Sequence, residues 1–135
     1  MRKAILLTIA SAFVLAAVAP ALAHHAFSAE FDQSKSVKIS GEITKLEWVN
    51  PHAWIFLNVK DADGKVTPWR FEMGAPNALL RAGWSKSDIK VGTMVTVSGF
   101  QARAGGPVGN AFQVRLPDGR DLFAASSLKD AADAK

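Results

Sequence analysis

From Val37 onward the chain is a series of short apolar–polar alternations separated by turn residues, the pattern of half-buried β-strands. Val37, Ile39, Gly41 and Ile43 fall on one face of a first strand. The apolar phase then shifts to Leu46 and Trp48, as a β-bulge would require. Asn50-Pro51 ends that strand, since proline removes a ladder donor and restricts the residue before it. A second strand follows, with Ala53, Ile55, Leu57 and Val59 on one face and His52, Trp54 and Phe56 on the other. Asp61-Ala62-Asp63-Gly64 supplies a hairpin turn, and a third strand buries Trp69, Phe71 and Met73.

Pro76 to Trp84 is the one convincing helix of this region, with Leu79, Leu80 and Trp84 as its apolar stripe and Pro76 at the first turn. Val95 and Val97 alternate with Met94, Thr96 and Ser98 in a fourth strand. Ala104-Gly105-Gly106-Pro107 makes a loop, and Phe112, Val114 and Leu116 form a fifth strand. Pro117-Asp118-Gly119-Arg120 turns the chain into a brief segment, Asp121 to Phe123. This order predicts an all-β domain: a small five-stranded OB-like Greek-key barrel with one short helix between strands 3 and 4. Another small barrel or a sandwich is the alternative.

The first residues follow a different pattern. Arg2 and Lys3 precede an apolar run from Ala4 to Val18, and Ala21-Leu22-Ala23 places small residues where a signal peptidase reads. The expected organisation is a signal peptide over 1–23, the barrel domain over 24–123 and a flexible, Ala-rich tail over 124–135. The alternative is an uncleaved anchor, because Ala4 to Ala23 almost spans a bilayer; the Pro20 break favours cleavage, which leaves no stable membrane anchor. General secretion to the periplasm is the expected route, since a single arginine excludes a twin-arginine signal.

Composition narrows the chemistry. The 135 residues include no cysteine, which excludes a thiol nucleophile, a cysteine zinc site, a cysteine-attached haem and a lipidated cysteine. Loss of Arg2 and Lys3 lowers the basic count from 16 to 14 against 12 acids, so the formal net charge falls from +4 to +2. The remaining charges are interspersed, which disfavours a nucleic-acid partner.

Cleavage after Ala23 would place two of the three histidines, His24 and His25, at the start of the mature chain. A free α-amine and the imidazole of the same N-terminal residue chelate one metal ion, and a second imidazole completes a nitrogen-rich tetragonal site suited to Cu(II). His52 or His25 would supply that second imidazole. An arm of seven or eight residues reaches at most about 25 Å. Copper binding at such a site would weaken as the pH falls through the ordinary histidine range. The plainer reading is a solvated His-His end and a His52 that merely caps a turn.

Trp48 and Trp54 flank the Val49–Ala53 corner and are either a cross-strand aromatic pair or a ligand platform on the loop between strands one and two, one of the binding loops of OB-folds. Trp69 and Trp84 read as packing. No nucleophile elbow, calcium loop or phosphate loop is present, and Glu42 and Glu47 make a poor acid–base pair. The expectation is a non-enzymatic binding module. A protein-interaction or accessory module for an exported enzyme or envelope component is the alternative; a copper-dependent oxidative enzyme ranks behind both.

His24-His25-Ala26-Phe27, Glu30-Phe31-Asp32, Glu47 to Trp54, Gly74 to Arg81, Gly83-Trp84 and Leu116 to Arg120 together resemble an uncharacterised family of small exported proteobacterial proteins. That family has an HHxF mature N-terminus, a WxNPHxW motif and a domain of unknown function. The resemblance implies export and a shared fold, and it contributes no activity.

Overall fold

Alternation governs the strands. β1 (Phe31–Glu47) and β2 (Trp54–Lys60) pair antiparallel, and their register slips between Ile43 and Lys45. That bulge lies where the apolar phase changes, and it lets both Ile43 and Leu46 turn toward the core. Asp61 Oδ1 accepts the backbone N–H groups of Asp63 and Lys65 at 3.1 and 2.8 Å, closing the hairpin into β3 (Val66–Glu72). Proline stands within β3 at Pro68, where the strand is bonded to β2 alone; its pairing with β5 begins at Arg70.

α1 (Pro76–Arg81) stops short of the expected Trp84. Gly83 adopts φ +95°, a left-handed conformation that suits glycine and ends the helix. Trp84 is nonetheless buried, and its indole N–H donates to the Phe123 carbonyl at 2.6 Å. β4 (Met94–Ala102), β5 (Val108–Arg115) and a short β6 (Asp121–Phe123) complete an all-β arrangement of six strands among the described residues, one more than expected, because Asp121–Phe123 pairs with β5. Strand order is β3-β2-β1-β4-β5-β6, with an added parallel pairing of β3 and β5 that closes the strand pairings on themselves.

The computed structural model describes residues 27–85 and 87–125; the expected leader, His24, His25 and the expected tail from residue 126 lie outside them. The chain divides into two units at Glu30 and Phe31. In the first, residues 27–30 are helical. The core of the second contains Ile43, Ile55, Leu57, Phe71, Leu79 and Val97, all fully buried. Side chains of this size each contribute about 1.5–3 kcal/mol on burial. Two residues assigned to the flexible tail belong to this packing. Ala124 and Ala125 are buried, and Ala124 accepts from the Gly74 N–H and donates to the Phe112 carbonyl, so satisfied backbone groups hold the chain down to that point.

Candidate functional site

β1 leaves the sheet at Glu47, and the corner 48–53 contains a cis Asn50–Pro51 bond. Beyond it the β2–β3 ladder resumes before β2 formally starts. Met73 N–H donates to the Ala53 carbonyl at 2.8 Å, and Ala53 N–H to the Gly74 carbonyl at 3.1 Å. Ala53 and Met73 point inward and are fully buried. Strand alternation therefore turns His52, Trp54 and Glu72 outward together.

His52 Nδ1 lies 2.6 Å from Glu72 Oε1. The histidine side chain is 42% exposed and the glutamate side chain only 10%. A buried carboxylate thus holds one edge of an open imidazole. Trp54 lies opposite Glu72 in the β2–β3 register, and the guanidinium of Arg70 sits 5.4 Å from its ring. Lys45 Nζ stands 5.3 Å from the Phe56 ring and pairs with Glu47. A groove of about 350 Å³ runs beside these residues, lined by Phe56, Trp69, Arg70, Pro107 and Val108 among others.

The two candidate tryptophans part company. Trp48 packs on Trp84, with ring centroids 6.2 Å apart and planes tilted by 45°. It therefore ties the corner to the end of the helical segment and, through the Trp84 hydrogen bond, to β6. Trp54 remains on the outer face under Arg70. The expected Trp48–Trp54 cross-strand pair is absent among the described residues, because the register sets Trp54 opposite Glu47 and Glu72 instead.

The ladder continues past Glu72. Glu72 lies beside Asn110 on β5, Asn110 opposite Phe100 on β4, and Phe100 opposite Ser36 on β1. Asn110 is 1% exposed, and its Nδ2 finds no hydrogen-bond partner among the described residues. Its outward direction follows from Gly109, where an added Cβ would lie 2.7 Å from Cε1 of the core residue Phe71. Gly109 thus faces inward and Asn110 outward, alongside Glu72.

Of the three histidines, His52 lies among the described residues. No group of three or more His, Cys, Asp or Glu residues able to hold a metal occurs among the described residues. Glu72, Arg70 and Asn110 belong to no motif or apolar period in the sequence. Hairpin register nonetheless marks the first two: counting back from the Asp61–Gly64 turn pairs Trp54 with Glu72 and Phe56 with Arg70.

A family signature matches residues 11–111, described as a family of unknown function, DUF6152. The chain belongs to this family. The DUF6152 match includes the sequence positions of all three histidines and the whole Trp48–Trp54 corner, and it ends before the Leu116–Arg120 turn. No curated protein matches the chain.

Proposed function

We propose that this chain is exported to the periplasm, cleaved after Ala23, and acts as a non-enzymatic Cu(II)-binding module built on an OB-like barrel. His24 would contribute its amine and imidazole, and, of the two second imidazoles open in sequence, His52 and not His25 would complete the site. The closed pairing and the stagger of its rungs support the barrel reading: the rung that leaves β1 at Glu47 returns to β1 at Ser36.

That rung is the observation on which the copper reading rests. From Glu72, the partner of His52, three strand-to-strand steps of about 4.8 Å each lead to Ser36, a path of ~15 Å. Phe31, at the head of β1, pairs with Ala102, two residues beyond Phe100 on β4. Through Asn110, Phe100 and Ala102, the head of β1 is thus about 21 Å from Glu72 along the sheet. The seven-residue arm from His24 to Phe31 spans up to about 25 Å when fully extended, so reaching His52 requires the helical residues 27–30 to straighten.

A mature mass beginning at His24, followed by competitive Cu(II) titration, tests the proposal. One tightly held copper should be lost in His24→Ala and weakened in His52→Ala. Loose binding that is indifferent to His52 contradicts it. That result would favour a docking module for an exported enzyme or envelope component, the reading supported by the Arg70–Trp54 pair and the neighbouring groove.

A further inference from the structure

We propose that Glu72 is a positioning residue for His52: by accepting the Nδ1 proton it leaves Nε2 bare, and Nε2 is the atom offered to a metal ion. The identity of that ion rests on the copper reading above; the orientation rests on the hydrogen bond. A neutral imidazole has one N–H and one lone pair, so fixing the first fixes the second. An ionised carboxylate only accepts. A 2.6 Å contact between Nδ1 and Glu72 Oε1 therefore places the proton on Nδ1.

Burial makes this arrangement directional. Glu72 is 8% exposed and is held in the ladder between Trp54 and Asn110, while its neighbours Phe71 and Met73 are sealed in the core. The carboxylate is a fixed post, and the imidazole is the exposed partner. A surface histidine without such a post turns about χ2 and presents either nitrogen. Metal-binding histidines characteristically donate their other N–H to a carboxylate or carbonyl, which orients the ring and raises the basicity of the ligating nitrogen. The two flanking acids on this face are not equivalent, since Glu47 is engaged by Lys45.

The decisive readout is the tautomer, which a merely structural role for Glu72 would not predict. In copper-free mature protein, well above the ordinary histidine range, long-range ¹H–¹⁵N spectra should place the His52 proton on Nδ1. In Glu72→Ala it should move to Nε2, and Cu(II) affinity should fall by about 10–100-fold. Glu72→Gln retains an acceptor oxygen, so it should preserve the Nδ1 tautomer and lose less affinity; it decides the matter should the alanine variant fail to fold. A wild-type proton on Nε2 overturns the proposal. So does undiminished copper binding in both Glu72 variants when His52→Ala is impaired. Copper binding unmoved by His52→Ala is a different result, and it refutes the copper reading itself.

Discussion

At the scale of single residues, the direction in which a side chain points decides what the site contains. Gly109 fixes that direction for its neighbours. A Cβ there would lie 2.7 Å from Phe71 Cε1 and 2.8 Å from the Phe100 carbonyl oxygen, and the backbone contact cannot be relieved by a rotamer change. Gly109→Ala should therefore cost about 1–3 kcal/mol, measured as a lower urea midpoint at unchanged m-value. An unchanged midpoint would mean that Gly109 does not face the core, and would remove the argument that sets Asn110 beside Glu72. Trp48 and Trp54 show the same principle. One bulky ring is spent on packing against Trp84 and the other stays on the outer face, although their positions about the corner looked equivalent in sequence.

At the scale of elements, β6 is the most lightly attached strand, three residues paired only with β5. A two-pronged ion pair reinforces it: Arg115 Nε and a terminal nitrogen donate to the two Asp121 oxygens at 2.7 and 2.6 Å. Hydrogen bonding from Arg115 lowers the Asp121 pKa from 3.8 to about 2. A carboxylate depressed on folding stabilises the folded form above its unfolded pKa, and that contribution is lost as the pH falls through its folded one. β6 should accordingly loosen between about pH 4 and pH 2. The Trp84 indole N–H signal reports this directly, because its acceptor is the Phe123 carbonyl. Asp121→Asn should flatten this acid response; a response identical to wild type would assign it to other groups. Elements of this size were unevenly legible in the sequence. The β1 bulge showed as a change of apolar phase, and the hairpin as Asp61–Gly64. The extension of β1 back to Phe31 did not show, because Asp32 to Lys35 are polar and the register slips between Phe31 and Ser36. β6 was visible only as a brief segment, since three residues have no period to read.

At the scale of the whole molecule, one rung passes through Glu47, Trp54, Glu72, Asn110 and Phe100 and returns to β1 at Ser36. Local alternation foretold β2 to β5, the later part of β1 and the broad all-β class, but the stagger arises from bulges and from the parallel β3–β5 pairing, which no local pattern encodes. Glu72 could be placed beside the His52 corner by counting back from the Asp61–Gly64 turn, whereas the approach of Asn110 to Glu72 could not be read in sequence. The same stagger sets Ser36 on the rung of Glu72, and the copper proposal requires the N-terminal arm to span the remaining distance from Phe31 to the His52 corner. Paramagnetic broadening by one equivalent of Cu(II), followed residue by residue in ¹H–¹⁵N spectra of the mature protein, tests that requirement most directly. Signals from Ala53, Trp54, Glu72 and Gly74 should vanish together with those of the N-terminal residues, while the Asp61–Gly64 turn at the far end of β2 stays sharp. Broadening confined to the N-terminal residues, with the His52 corner untouched, would contradict the account.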